Sequence, residues 1–292
     1  MAFKKTLLAF VELARPLEWS KTFGNMVIAA IIASGFSGFD WLVFLAGFLA
    51  VGPFLWGGLY ALNDWTDWGK DKKHSHKKLR PIPSGRVSPK GGLLFSLSLI
   101  LIAFAIAFAL NNFLFLVFLL AMLLNQLLYT MKPFELKKKP FFDLVSGSLV
   151  NPFFRFYSGW VLVQQNFSAP IEIIGFILGV QFGGFVLYRM SSKEHEKEME
   201  YKSSVVLFGE KNLKIVSYAA LAFGGFSYIY ASLSGVLPLK FVWLVLLSLL
   251  ALPLYWTAIT KPQAIDMGFM YKLIYIHYSL FILGFLILSY VV

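Results

Sequence analysis

The chain alternates between long apolar runs and short polar connections, and the length of those runs restricts the fold more than any other feature. Nine segments are predominantly apolar, approximately 22–38, 42–64, 91–110, 113–130, 141–163, 170–189, 214–234, 240–260 and 270–291. About 20 apolar residues is the length a helix needs to cross the hydrocarbon core of a bilayer. A backbone in hydrocarbon has no water to bond, so such segments must satisfy their own N–H and C=O groups, as helices do. The expected fold is therefore an all-α integral membrane protein. Nine transmembrane helices form one bundle with cytoplasmic cap loops, and residues 1–292 make a single membrane domain. The runs that meet at Asn111-Asn112 read either as two helices or as one kinked unit.

Composition agrees: 58% of residues are hydrophobic and 14% charged, against about 25% charged in soluble domains. Cysteine is absent, which excludes disulfides, thiolate metal sites and thiol catalysis. The start, MAFKKTLLAFVELARP, is basic and then apolar like a signal peptide. Glu12 and Arg15 interrupt the apolar run and no small-residue cleavage pattern follows, so it reads as an amphipathic interfacial helix.

The net charge of +11 would suggest nucleic acid in a soluble protein. Here it reads as topology, with a lipid bilayer as the partner and no nucleic acid. Lys and Arg collect on the cytoplasmic side of a membrane. With nine spans, 24 of the 26 basic residues fall on one side, in the N-terminal segment and four loops. The exceptions are Lys240 and Arg155. This places the N-terminus in the cytoplasm and the C-terminus outside, with the two long loops, 65–90 and 190–213, cytoplasmic.

The second segment ends in a cluster of polar residues. Asn63, Asp67 and Asp71 share a helical face at i, i+4 and i+8, with Asp64 one turn before Asp67. Three carboxylates at a membrane boundary repel one another and are expensive to bury. A divalent cation resolves the conflict, and oxygen ligands without His or Cys suit Mg²⁺. Lys72, Lys73, Lys77, Lys78, Arg80 and Arg86 follow within 15 residues of Asp71. Acidic ligands beside a basic loop make sense if a diphosphate lies between them. Pro81, Pro83 and Gly85 shape that loop, and Ser88-Pro89 reads as the cap and first turn of the next helix. An isolated Asp-x-x-Asp would more often be a solvated helix end; here amide, acids, basic loop and membrane position coincide.

These residues carry a resemblance. Asn63-Asp64-x-x-Asp67-x-x-x-Asp71, followed by Arg80-Pro-Ile-Pro-Ser-Gly85, resembles the first aspartate-rich motif of the UbiA superfamily of intramembrane prenyltransferases. Arg15-Pro16 is similar to that family's opening motif, and Tyr129-Thr130 with the Lys137–Lys139 run to its Tyr-and-Lys segment. The resemblance covers nearly the whole chain. It implies nine helices around a central cavity open to lipid. It also implies Mg²⁺-dependent transfer of a polyprenyl group from its diphosphate to a small or lipid acceptor, with release of pyrophosphate. On this reading Asp64, Asp67 and Asp71 hold Mg²⁺ and are catalytic, and Asn63, Lys21, Lys78, Arg80, Tyr129, Lys137, Arg189 and Lys202 bind substrate. The aromatic residues could line the path of the prenyl tail, although most of them pack the bundle or face lipid.

The second family motif departs from the pattern. Where aspartates four apart are usual, alignment on Lys202-Ser203-Ser204 and Gly209 places Ser192, Glu196 and Glu200. Glu196 and Glu200, four apart on a helix, are expected to point inward together and to add metal ligands. The competing reading is a solvated helix of mixed charge. The Tyr-to-Lys spacing is also irregular, leaving Lys132 and Lys137 as alternatives. Arg155 lies inside the fifth segment, where a charge is expensive and marks a site by default. It could hold a phosphate or an acceptor's acid group, or pair with Asp143, with Asn151 and Tyr157 lining the same cavity. His74, His76, His195 and His277 have no paired ligand spacing.

A second chemistry keeps the fold: relatives that join a polyprenyl phosphate to phosphoribosyl pyrophosphate. The stretch from Asp71 to Arg80 and Arg15-Pro-x-x-Trp19-x-Lys21 resemble that branch, whereas Lys202-Ser-Ser-Val-Val favours ordinary prenyl transfer. A transporter is the remote alternative, since the acids sit at one boundary rather than at midplane. The sequence does not choose among aromatic acids, quinone precursors, glycerol phosphate lipids and tetrapyrroles as acceptor.

Overall fold

The computed structural model describes residues 2–73, 77–190, 192–198, 200–247 and 267–290, with isolated positions between 247 and 267. His74, Ser75, His76 and nine of the 21 residues of the eighth predicted segment, 240–260, lie outside the described residues. Every regular element among the described residues is helical. They are α1 (Ala2–Ala14), α2 (Pro16–Ala33), α3 (Trp41–Leu49), α4 (Gly57–Asp71), α5 (Pro89–Ala109), α6 (Phe113–Thr130), α7 (Phe142–Val145), α8 (Asn151–Val161), α9 (Ile171–Met190), α10 (Lys193–Glu198), α11 (Ser204–Leu233) and α12 (Met267–Tyr290). Among the described residues five rods are long and apolar enough to cross a membrane: Trp41–Asp71, α5, α6, α9 and α11.

The helix starts follow local chemistry. Asp40 accepts hydrogen bonds from the Leu42 and Val43 amides at 2.8 and 3.1 Å and opens α3. Ser88 accepts from Gly91 N at 3.0 Å with Pro89 in the first turn, and Asn112 from Phe115 N at 3.0 Å. Each side chain satisfies an amide that the helix itself leaves unpaired. The Asn111-Asn112 region is thus a reversal between two helices rather than one kinked unit. In the second predicted segment Pro53 falls inside a π-helical stretch, Ala50–Trp56, which joins α3 to α4 without a break. The wider π turn accommodates a residue with no N–H to donate. A second π stretch, Ser146–Val150, joins α7 to α8.

Close approach between helices depends on small residues. A Cβ at Gly159 of α8 would lie 2.2 Å from the Met26 carbonyl of α2. One at Gly179 of α9 would lie 2.8 Å from Ala220 O and Gly224 Cα of α11. In lipid, where apolar area alone does not drive helices together, such backbone contact is what holds a pair. The core runs through α2, the Trp41–Asp71 rod, α6, α8, α9 and α12, with Met26, Trp56, Phe118, Phe156 and Phe285 buried. Of the five long rods, Trp41–Asp71 is the most enclosed, with 56% of its apolar window buried against 28–33% for the others. The rod that carries the aspartates is therefore the central one. α5 instead turns Leu94, Leu97, Leu101 and Phe108 outward.

Candidate active site

At the C-terminal end of α4 each aspartate meets a cation from another element. Asp64, 2% exposed, accepts from Arg15 Nη2 at 2.6 Å and Arg80 Nη1 at 3.0 Å. The same Arg80 nitrogen reaches Asp71 Oδ2 at 2.8 Å. Asp67 takes both oxygens to Lys137 Nζ at 2.7 Å. Arg15 occupies the left-handed region (φ 49°) between α1 and α2, and Pro16 begins the next helix. Arg80 comes from the basic loop after the Lys77–Leu79 turn, and Lys137 from the short turn Leu136–Lys138 after α6. Asn63 stands one turn along, its Oδ1 3.3 Å from Thr130 Oγ1 on α6.

This arrangement corrects the expected convergence of three carboxylates. Among the described residues no three acidic or histidine side chains are gathered to hold a metal. The reason is charge: like carboxylates one turn apart are relieved by cations brought in from three different segments. The fit to a divalent ion is nevertheless good at one point. Asp64 Oδ1 and Asp71 Oδ2 face the same Arg80 nitrogen, so a cation there touches both oxygens, and an all-oxygen donor set suits Mg²⁺. Of the two candidate lysines, Lys137 reaches the cluster. Lys137 is 8% exposed and bound to Asp67, while Lys132 lies on the surface. Lys78 and Lys202 are exposed as well. Lys21 pairs instead with Glu18 at 3.1 Å.

A second cluster lies where α7, α9, α10 and α11 meet. Arg189 Nη2 donates to Asp143 Oδ2 at 3.1 Å and to Glu196 Oε2 at 3.0 Å. Ser192 donates to Glu196 Oε1 at 2.6 Å, and Ser203 also donates to Glu196. Asp143 accepts from the Ser204 amide at 3.1 Å and so caps α11. Tyr129 couples electrostatically to this group from α6. The expected Glu196–Glu200 pair does not form. α10 ends at Glu198, and Glu200 is an exposed residue with φ 55° in the following turn. The Tyr201 amide closes that turn on Glu196 O, so the periodicity that would align the two glutamates is broken. Tyr201 itself sits between the clusters. Burial, and then Asp67, Glu135, Glu196 and Asp71, push its hydroxyl up to about 12.

The third group is deeper. Arg155 of α8 does not pair with Asp143, which Arg189 occupies. Its guanidinium lies 3.9 Å from the centre of the Trp56 ring and reaches Tyr60 OH at 3.4 Å. Tyr60 OH is in turn 3.4 Å from Glu18 Oε2, and Arg15 stacks over the Tyr60 ring at 5.1 Å. Asn151 and Tyr157 turn elsewhere, to Asn125 and to the Phe167 carbonyl. Trp56, Tyr60 and Glu18 were not evident as site residues in the sequence, and Asp143 was named only as a possible partner of Arg155. The signal for the first two is spacing: they precede Asp64 by eight and four residues on one helical face.

Comparison with known proteins adds the following. The family model described as the UbiA prenyltransferase family matches residues 25–290. A protoheme IX farnesyltransferase of Archaeoglobus fulgidus is 25% identical over 194 residues, 66% of each chain. A digeranylgeranylglyceryl phosphate synthase of Methanococcoides burtonii is 29% identical over 164 residues, 56% of this chain and 55% of that one. A protoheme IX farnesyltransferase of Bdellovibrio bacteriovorus is 38% identical over 73 residues, a stretch equal to 25% of each chain. The matches thus span from a quarter to about two thirds of the length of these curated relatives. Among solved structures, a UbiA homolog from Archaeoglobus fulgidus bound to GPP and Mg²⁺ superimposes with a TM-score of 0.75 at 19% identity, covering 96% of this chain and 99% of that one. A UbiA homolog from Aeropyrum pernix gives 0.73 at 18% identity over 94% of this chain and 97% of that one. The family match over most of the length, on an all-helical chain whose central rod ends in paired aspartates, means that this chain belongs to the UbiA prenyltransferase family.

Proposed function

We propose that the chain transfers a polyprenyl group from its diphosphate to an acceptor, using the end of α4 as the diphosphate site. One observation carries this reading: Asp64 and Asp71 share a single cationic point while Arg15, Arg80 and Lys137 stand around it. Carboxylates alone would repel a diphosphate, and cations alone would need no carboxylates. Together they fit an anion held through a divalent ion.

Asp64 and Asp71 would hold Mg²⁺, which would supply positive charge to the leaving oxygens, and Asp67 would join them on leaving Lys137. Glu196 is bound into a salt bridge and Glu200 is exposed, so both stand outside this ligand set. Arg80, Arg15 and Lys137 are placed to turn from their aspartates to the phosphate oxygens. The C–O bond between the prenyl C1 and the diphosphate breaks, and its electron pair leaves on pyrophosphate. The acceptor's nucleophilic atom captures the allylic carbon and gives up its proton. Cations aimed at a developing negative charge in a site shielded from water act strongly on such a step. Aromatic faces such as Tyr60 and Trp56 can shield the allylic cation.

The topology belongs to the same reading. All nine segments cross the bilayer around a cavity open to lipid, the N-terminus and the aspartate end are cytoplasmic, and the C-terminus is outside. Ser203, fully buried on Glu196, is a poor site for a labelling cysteine. The exposed Lys202 and Lys72 should label from one face, and Ser37 from the other.

A second reading, phosphoribosyl transfer to a polyprenyl phosphate, draws on one observation. Glu196 is neutralised by Arg189 rather than offered as a second ligand set. The test offers purified protein with Mg²⁺ each donor and follows pyrophosphate release. Turnover of prenyl diphosphate with an acceptor panel is expected. Turnover only of phosphoribosyl pyrophosphate with polyprenyl phosphate would overturn the first reading.

A further inference from the structure

Arg155 is 5% exposed in the interior of α8, and among the described residues its Nε has no hydrogen-bond partner. Among those residues its hydrogen bond is the long one to Tyr60 OH, and no carboxylate lies within ion-pair distance of it. The nearby acids are already engaged: Asp143 by Arg189 and Ser204, Glu18 by Lys21 and Tyr60. A guanidinium cannot shed its proton to escape this environment. A lysine could become neutral there; an arginine stays charged and needs an anion.

The surroundings carry the same deficit. Four buried side-chain polar atoms lack partners among the described residues: Arg155 Nε, Trp56 Nε1, Thr22 Oγ1 and Arg189 Nε. Trp56 is stacked on Arg155. Thr22 is at the same level. α2 and α8 run in the same direction, touching at Met26 and Gly159 and again where Gln164 donates to Ala33 O. Thr22 and Arg155 each sit one turn before the first of these contacts. Three of the four orphaned atoms therefore belong to one patch, and all three are able to donate. Buried donors without acceptors are rare enough in folded proteins to call for an explanation.

We infer that Arg155, with Thr22 and Trp56, binds an oxyanion carried by the acceptor. The inference rests on the prenyl-transfer reading for the word acceptor, and on the orphaned donors for the anion. Position separates it from the donor's diphosphate. Along the rod, Tyr60 lies about 6 Å and Trp56 about 12 Å deeper than Asp64, at 1.5 Å per residue. A diphosphate held by Asp64 and Asp71 is at the mouth; Arg155 is inside. An acceptor anchored there by its acid group extends its nucleophilic atom back toward the allylic carbon. The edge of the guanidinium that holds Nε and the Tyr60-directed nitrogen is the one a two-oxygen group accepts from in parallel. Carboxylate and phosphate share that chemistry, so the acceptor is an acid, such as an aromatic carboxylate or a phosphate monoester lipid.

The test pairs each acid with its neutral counterpart: 4-hydroxybenzoate with 4-hydroxybenzamide, and geranylgeranylglyceryl phosphate with the free alcohol. Binding is read without donor as a shift in thermal stability, and turnover with prenyl diphosphate and Mg²⁺. Wild type should prefer one acid over its neutral partner by about 10- to 100-fold, the range for a hydrogen bond to a charged group; the acid preferred identifies the source of the anion. Arg155→Gln should abolish the preference, leave KM for prenyl diphosphate within about twofold, and melt no lower than wild type without ligand, because an unpaired buried charge has been removed. Thr22→Val, a smaller change, should weaken the preference several-fold. Equal affinity of wild type for acid and neutral partners would overturn the inference. So would an acid preference that survives in Arg155→Gln, or a rise in donor KM in its place. Acid binding lost in Arg155→Gln, but without turnover of any prenyl diphosphate, would sink the transfer reading and keep the anion site.

Discussion

Asp64 and Glu196 are both almost fully buried carboxylates bound to arginine, 2% and 3% exposed. Their partners differ. The side chains of Arg15 and Arg80 around Asp64 keep 29% and 27% of their surface exposed. Arg189 beside Glu196 keeps 12%, and two serine hydroxyls fill the remaining acceptor positions of the glutamate. On the proposed reading the first cluster would exchange its cations for a metal ion or lend them to a phosphate. In the second the acceptor positions of Glu196 are filled, and the cluster ties α10 and the start of α11 to α7 and α9. One cluster is arranged for traffic and the other for attachment.

The largest effect should come from the open cluster. Asp71→Asn removes one of the two oxygens facing Arg80 while Asp64 keeps both of its arginines. Turnover should fall about 10²- to 10³-fold, the scale for losing a stabilising group at a developing charge. The melting temperature should hardly move. Near-normal turnover of this variant at saturating donor would end the distinction between the clusters. In the closed cluster the order reverses. Glu196→Ala leaves the Arg189–Asp143 pair intact but takes a buried acceptor from Arg189, Ser192 and Ser203, which typically costs about 1–3 kcal/mol. Denaturation in detergent should show that loss, while donor KM measured at low temperature stays near wild type. Full stability with abolished turnover would return Glu196 to the metal set.

A smaller effect separates the two lysines that follow Tyr129. Lys137→Met removes a buried ammonium bonded to both Asp67 oxygens, and donor KM should rise roughly tenfold, as for a charged hydrogen bond. Lys132→Met, on the surface, should leave it unchanged. An equal response of the two would mean that Lys137 only packs.

The helical segments and the aspartate end of α4 were legible because both depend on short-range regularities: run length against membrane thickness, and residues four apart on one helix. The cap at Ser88 was readable for the same reason. What could not be read was pairing across elements. Whether Arg155 meets Asp143 or Trp56 depends on how α8 packs against α2 and the central rod, which no local pattern encodes. The expected Glu196–Glu200 alignment failed because helical periodicity was extended two residues past the point where α10 stops. Its end is set by Ser192, Ser203 and Arg189 holding Glu196, a tertiary event.

The smallest effect concerns Tyr201, which stands between the clusters and should report on both. Its hydroxyl is pushed up to about 12, first by burial and then by Asp67, Glu135, Glu196 and Asp71. An unfolded tyrosine titrates near 10. Between these values the unfolded chain releases the proton and the folded chain keeps it, so the folded state binds more protons. Stability then falls as pH rises from about 10 to about 12, and whatever the neutral phenol contributes is fully present below 10. Tyr201→Phe removes this titration. The melting-temperature difference between wild type and Tyr201→Phe should therefore be constant from pH 7 to 9 and shift against wild type between pH 10 and 12. Turnover near neutral pH should change less than about threefold, since a phenol that stays protonated offers no base. In a Glu196→Gln background one of the neighbouring carboxylate charges is gone, so the alkaline loss should still begin near 10 but level off at lower pH. If it levels off at the same pH, Glu196 does not act on Tyr201 and the two clusters do not communicate through it.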